Sequence, residues 1–474
     1  MKIKLKNWGP VSECEFDLDK SLIVIYGNNN IGKSYAMQTI YLLLKNLILY
    51  AQNIVHYSNG LYLYFVSSGK KISSSAKNIL VAFIQNQQPE QIVDTNLLSI
   101  VSKELEGEFL DQLYLSFENS FGTFEEILKK NPEFTIETSH SSCHIDLAKR
   151  IVHLNQDFKS VRLKTSTSDF HKHREDKNYY TIYVCDQKIN TPSELLEERV
   201  AEIKKLFALD ILHKVQAVYY LPASRSGIYA GMSSFSPILA LLAQNRSSIR
   251  GSIQIPSISE PISDYYMALS TIKENAHDDF KDCTDEIEQN ILNGDVQFDF
   301  NRKTILYHPA GTDLSLEMND ASSMVSEIAP IIAFLKYIIT GLNRTTHSKL
   351  KKLNKNSILF IEEPEAHLHP ANQISLLKSF VKLSHLNVQL IMASHSNYIF
   401  NQLNNMVMDQ QLDQTSYLPL LMREQNHTTI SEYMNMDEFG VDDENFADVS
   451  SQLMEERDEI IARILEKTED HPEE

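Results

Sequence analysis

Four cysteines in 474 residues (Cys14, Cys143, Cys185, Cys283), none in a CxxC pair, give no basis for a disulfide scaffold or a thiolate zinc site. They fit a reduced, cytoplasmic setting. Long apolar runs are lacking too. The stretch 329–339 is broken by Lys336 and falls well short of the ~20 residues that a membrane span needs, so no membrane segment is expected. The opening MKIKLKNWGPVSECEF alternates like a strand and has no signal-peptide core. Without a sustained run of heptads, a long coiled-coil arm is not expected either. Basic residues are the minority, 44 Lys+Arg against 63 Asp+Glu, and the formal net charge of −19 is the wrong sign for a generic nucleic-acid binder.

What is present is an ordinary globular balance, 42% hydrophobic and 23% charged, on a chain long enough for two or three structural units. The charge is unevenly spread. Residues 432–474 hold 16 acids and three bases (Arg457, Arg463, Lys467), a net of −13, which leaves −6 for everything before them. Within that tail Val449, Leu453, Ile460, Ile461, Ile464 and Leu465 form an amphipathic pattern, which suggests a docking or regulatory element for a basic partner. Conversely, 328–361 contains no acid at all and carries Arg344, Lys349, Lys351, Lys352 and Lys355. A second, mixed basic patch spans 149–177 and includes His171, Lys172, His173 and Arg174.

Patterning divides the chain into four parts. Residues 1–50 read as strands followed by a Leu/Ile/Met-rich helix from Lys33. Residues 51–214 read as a mostly helical insertion with some strand, as at 179–186. Residues 215–430 hold a buried strand ending in LPASRSG, a hairpin near 296–307, an apolar helix at 323–341 and two strand–helix units beginning at 357 and 388. Residues 431–474 are the acidic tail. Strands alternating with helices predict an α/β fold with a mainly parallel sheet.

Four motifs carry chemistry. GNNNIGKS (Gly27, Asn28, Asn29, Asn30, Ile31, Gly32, Lys33, Ser34) follows a buried strand and opens a helix, the context in which G-x-x-x-x-G-K-S cradles phosphates. Lys33 suits β- and γ-phosphate charge, and the Ser34 hydroxyl suits Mg²⁺. ILFIEEPEAHLHP ends a buried strand in paired carboxylates; Glu362 can serve the Mg²⁺ shell and Glu363 can polarise an attacking water. In QLIMASHSNYIF, His395 follows the next strand, where an imidazole can contact a γ-phosphate. NDASSMVSE is equally well a plain N-cap made by Ser322 and Ser323, with Glu327 in the first turns, or a helix end that offers hydroxyls and N–H groups to a phosphate held by another subunit.

In their order (IKLKNWGPV, GNNNIGKS, LPASRSG, ASSMVSE, FIEEPEAHLHP, ASHS) these motifs resemble the ABC-type ATPase heads of the SMC-like and overcome-lysogenization-defect class. The likeness is nearest to the stand-alone AAA_15 and AAA_21 ATPases of bacterial anti-phage systems such as Septu and PARIS, and it spans residues 1–50 and about 215–430. It implies a P-loop NTPase fold: an ABC-ATPase head with a mixed sheet and a largely helical insertion. It also implies Gly27, Asn30, Gly32, Lys33 and Ser34 as the Walker A loop, Glu362 and Glu363 as Walker B with Glu363 the catalytic base, His395 as the switch histidine, and residues 365–369 as the loop crossing a dimer interface. Ser322 and Ser323 match the signature serines, although Met324 stands where that signature has glycine. The resemblance places no Q-loop glutamine. Arg225 in LPASRSG is left as either a phosphate-side residue or a structural one.

The expected cofactors are ATP and Mg²⁺, and the expected reaction is ATP hydrolysis. The expected role is a sensor or scaffold subunit in anti-phage defence that assembles as a homo-oligomer through composite ATP sites and controls a separate effector, a nuclease or toxin. With 79 residues after His395, no C-terminal Toprim nuclease domain is expected. The alternative is a DNA-repair or recombination ATPase of the RecF or SMC kind that clamps DNA.

Overall fold

The computed structural model describes residues 1–60, 90–93, 96–139, 141–156, 161–166, 175–176, 179–185, 204–205, 207–231, 258–273, 276–339, 356–443 and 445–469. The basic residues expected at 344–355, and His171 to Arg174 of the other basic patch, lie outside the described residues.

The main sheet has eleven strands: β1 (Lys2–Trp8), β2 (Val11–Asp17), β3 (Leu22–Tyr26), β4 (Glu133–Glu137), β5 (Ser141–Asp146), β6 (Ile151–Gln156), β7 (Ala217–Leu221), β8 (Ser357–Glu362), β9 (Val388–Ala393), β10 (Tyr417–Gln425) and β11 (Thr428–Tyr433). Their order across the sheet is β7-β8-β9-β3-β10-β11-β2-β1-β4-β5-β6. From β7 to β10 every pairing is parallel; from β2 to β6 every pairing is antiparallel. The helices that matter for the site are α1 (Lys33–Gly60), α2 (Ser323–Ala333), α3 (Pro370–Ser384), α4 (Asn397–Met408) and α5 (Ala447–Glu469).

The parallel strands are continuously apolar because both faces are covered. In β3, Ile23 and Ile25 belong to one core, while Leu22, Val24 and Tyr26 belong to the other. In β8 the division repeats, with Ile358 and Phe360 against Leu359 and Ile361. Helix α1 covers the first face through Met37, Ile40, Leu43, Leu44 and Leu47. Helices α2, α3 and α4 cover the second through Ile328, Ile332, Leu377, Phe380, Ile399 and Leu403. This two-layer wrapping leaves the carboxyl ends of the parallel strands as the open edge, where α/β proteins place ligands.

The stretch 51–214, expected to be mostly helical, also builds the sheet. β4, β5 and β6 extend its antiparallel end, and β4 pairs directly with β1. Their alternation is plain in the burial of Phe134, Ile136, Cys143, Ile145, Val152 and Leu154. A second sheet joins Glu90–Val93, Val161–Ser166, Glu175–Asp176 and Tyr179–Cys185. Helical spacing is expected at 97–117 and 195–212 in this stretch; the structure has helices at Asn96–Glu108 and Leu110–Ser120, and residues 204–205 and 207–214 are helical.

The start of the acidic region likewise belongs to the body. Met434 and Val441 are buried, and the Phe446 ring lies 5.6 Å from Phe400 and 6.2 Å from Tyr26. Helix α5 differs: residues 451–463 are all exposed, including the apolar Leu453, Ile460 and Ile461.

Trp8, at the end of β1, is fully buried within an aromatic cluster. Phe117, Phe134, Phe121, Phe124 and Tyr35 surround it at ring-centroid distances of 4.7 to 6.2 Å. Tyr35 sits in the first turn of α1, so the cluster ties that turn to β1, to β4 and to residues 117–124. Gly9 is required beside it: its φ is +57°, and a Cβ there would lie 2.5 Å from Tyr35 Cε1. Truncation by Trp8→Ala is expected to cost about 3–5 kcal/mol of unfolding free energy, measurable by denaturant titration.

Candidate functional site

Strands β8, β9 and β3 are neighbours, and all three motifs leave them at the same carboxyl edge. The sheet register therefore brings together residues more than 300 positions apart in sequence.

The Gly27–Ser34 loop is shaped by its glycines. Gly27 has φ +132°, and a Cβ there would lie 2.2 Å from the Met422 carbonyl oxygen of β10. Asn30 and Gly32 also take positive φ, 63° and 90°. The Lys33 ammonium curls back over the loop, donating to the carbonyl oxygens of Gly27 (2.9 Å) and Asn28 (2.7 Å). Burial pushes Lys33 down to about 8, opposed by the negative charges of Glu363 and Glu365. Asn28, Asn29 and Asn30 are exposed, while Ile31 is buried, with its Cδ1 against Gly27. The loop's N–H groups and the start of the 28-residue α1 form the type of anion cradle found at helix N-termini.

Glu362 closes β8 and joins this loop directly. Its carboxylate accepts from Ser34 Oγ at 2.9 Å and from Gln38 Nε2 at 3.4 Å, and it accepts a short hydrogen bond from the Tyr220 hydroxyl. A serine hydroxyl and a carboxylate held together at a phosphate cradle are a donor set that suits Mg²⁺. Glu363 comes next, exposed, with an unusual φ of +43°. Three main-chain bonds hold it: its N–H donates to Ala393 O at 2.9 Å, and its carbonyl accepts from Ala366 N at 3.1 Å and from Arg225 Nη2 at 3.2 Å. A non-glycine residue at positive φ persists only where its surroundings over-determine it.

His395 follows β9 with an exposed ring. Partial desolvation and the nearby Lys33 charge hold it below the usual histidine range. The main-chain N–H of His395 donates to Glu365 Oε1 at 2.6 Å, and Ser394 Oγ donates to the same oxygen at 3.0 Å. Glu365 thus ties the turn after β8 to the loop after β9. Its other oxygen, Oε2, is buried without a hydrogen-bond partner. Burial, with Glu363 adding like charge, pushes the Glu365 carboxyl above the usual range.

Ser322 and Ser323 stand apart from this group, exposed at the N-terminus of α2, where Ser322 Oγ caps the helix by accepting from Val325 N at 3.4 Å. Met324, in the position noted above for glycine, accepts from Asn372 Nδ2 through its sulfur at 3.4 Å. Arg225 proves structural. It is fully buried and bonds the carbonyl oxygens of Pro222, Glu327, Glu362 and Glu363.

Sequence reading missed Tyr220 and Gln38. Gln38 lies four residues after Ser34 on one helix face, and Tyr220 is the penultimate residue of the strand paired in parallel with β8; both signals were available. Among the described residues no His/Cys/Asp/Glu cluster forms a further metal site, and no helix is long and apolar enough to cross a membrane.

A phosphate cradle at a strand–helix junction, bridged to a strand-end acid pair at the parallel end of a mixed sheet, defines a P-loop NTPase. The chain belongs to the AAA ATPase domain family AAA_15, whose model matches residues 1–400. No curated protein matches the sequence. Among solved structures, similarity is found to an SMC head bound to the C-winged helix domain of ScpA (12% identity, TM-score 0.37, covering 92% of this chain and 98% of that one). The SMC head domain from Thermotoga maritima is similar at 9% identity and TM-score 0.33, covering 92% of this chain and 98% of that one. An SMC head with an extended coiled coil, bound to the C-terminal domain of ScpA derived from Pyrococcus furiosus, is similar at 11% identity and TM-score 0.33, covering 96% and 98%.

Two outcomes are expected. Lys33→Ala removes the cradle's only lysine and should abolish nucleotide binding in an equilibrium titration; retained tight ATP binding would refute the assignment. For Glu365 the raised value means that ionisation destabilises the fold as pH rises through it. Glu365→Gln should therefore melt above wild type at about pH 8, by a margin that shrinks as pH falls toward about 5. A margin independent of pH would show that Glu365 does not titrate across this range.

Proposed function

We propose that this chain is an ABC-type ATPase subunit that binds and hydrolyses ATP with Mg²⁺ and serves as a sensor or scaffold in an anti-phage defence system. The observation that carries the ATPase reading is the Ser34–Glu362 bridge, flanked by Lys33, Glu363 and His395 at one strand edge. Mg²⁺, when bound, would neutralise charge developing on the β- and γ-phosphates. Gly27 to Ser34 would hold the phosphates, Lys33 exchanging two carbonyl partners for phosphate oxygens. Ser34 and Glu362 would hold the metal, with Tyr220 and Gln38 fixing the Glu362 carboxylate. Exposed Glu363 would accept a proton from the attacking water, and His395 would hydrogen-bond in the γ-phosphate region.

The defence setting, the separate effector and assembly of copies through Ser322 and Ser323 rest on the order of the motifs along the chain. The exposure of both serines on a capped helix end supports the trans contact. The DNA-clamp alternative draws less support. Lys336, from the acid-poor stretch, is bound to Glu288 at 2.6 Å and to Asp295 at 3.1 Å rather than displayed.

Glu363→Gln tests the reading. Turnover should fall by roughly 10²-fold or more while ATP binding persists, and light scattering should show an ATP-dependent assembled state. Wild-type turnover in Glu363→Gln would assign the general base to another residue.

A further inference from the structure

Arg225 has no contact with solvent, and its donors are committed across three segments. Nη1 donates to Pro222 O (3.3 Å) and Glu362 O (2.8 Å), Nη2 to Glu363 O (3.2 Å), and Nε to Glu327 O (3.0 Å). Nε also lies 3.3 Å from Glu327 Oε2. Glu327 is equally buried, and its carboxylate accepts from the main-chain N–H of Arg225 (3.1 Å) and Ser226 (3.2 Å) and from Ser226 Oγ (2.6 Å). Ser224, just before Arg225, is held at φ +55°.

This arrangement joins two places that sequence separates. Glu327 sits five residues after Ser322, about 7 Å along α2 from its exposed N-terminus. At the other side, the guanidinium grips the successive carbonyls of Glu362 and Glu363. A buried charge pair bonded to both elements cannot slide without uncovering a charge, which couples the placement of α2 to that of the end of β8. Besides the guanidinium, the Glu363 main chain is reached by Ala393 O on β9 and by the Ala366 N–H of its own turn, so Arg225 is the side chain that links it to α2. The position of the α2 N-terminus is thereby written into the backbone of Glu363.

We propose that Arg225 and Glu327 are positioning residues that relay the placement of the Ser322–Ser323 end of α2 to Glu363, setting where its carboxylate stands for water attack. Nucleotide engaged by that helix end then controls turnover at the acid pair of the same chain. The inference rests on the ATPase reading above and adds to it a route of regulation through residues that touch no nucleotide.

The test uses the full chain with Glu327→Gln and Arg225→Lys. Glu327→Gln keeps the shape and most acceptors, and Arg225→Lys keeps the charge but cannot reach four carbonyls at once. Glu288→Gln, at the buried Lys336–Glu288 pair, reports what loss of an ion pair does through stability alone. For Glu327→Gln we expect kcat to fall about tenfold or more, with ATP affinity and KM within about threefold of wild type. Arg225→Lys should follow the same split, and Glu288→Gln, at a comparable drop in melting temperature, should keep wild-type kcat. Folded Glu327→Gln with unchanged kcat overturns the proposal, as does a loss of ATP binding in proportion to turnover. If Arg225→Lys fails to fold, Glu327→Gln decides alone. A wild-type chain that does not hydrolyse ATP removes the ATPase reading and the relay with it, whereas an active wild type beside an equally active Glu327→Gln removes the relay only.

Discussion

One carboxylate organises this molecule. Glu362 lies at the end of a strand buried on both faces and receives hydrogen bonds from Ser34, Gln38 and Tyr220, which belong to two other elements. Leaving such an acid without donors at the edge of a core would be costly. The phosphate loop, the first turns of α1 and the end of β7 are therefore held in register around it. Because the fold itself links Ser34 to Glu362, this hydroxyl and carboxylate are placed side by side without further rearrangement.

A second tier of polar contacts surrounds this centre. Glu365 ties the turn after β8 to the loop after β9, and Arg225 ties that same turn to α2. Between them, the exposed Glu363 keeps a main chain locked on both sides while its carboxylate stays free of the core. A fixed backbone with an accessible side chain is what a general base needs, since reach and orientation decide its effectiveness more than basicity does.

Much of this was legible in the sequence. The loop from Gly27 to Ser34, the strand that ends in Glu362 and Glu363, and His395 after the next strand were readable because each follows a continuously apolar run and precedes a helix. Other features were hidden because they depend on register between strands far apart in the chain. Tyr220 meets Glu362 only because β7 pairs with β8. Arg225 reads as either a phosphate contact or a structural clip until burial decides for the latter. The strands of 133–156 were obscured for another reason. Their alternation is short and interrupted by turns, and it sits in a stretch whose neighbours, 96–108 and 110–120, are helical.

The aromatic nest around Trp8 has an experimental use. Trp8 is the only tryptophan in the chain, it is wholly buried, and its ring is 6.2 Å from Tyr35, two residues beyond Lys33. The protein thus carries its own optical probe at the root of the phosphate loop. Intrinsic tryptophan emission can follow events there without a label, and no second indole exists elsewhere in the chain to dilute the signal.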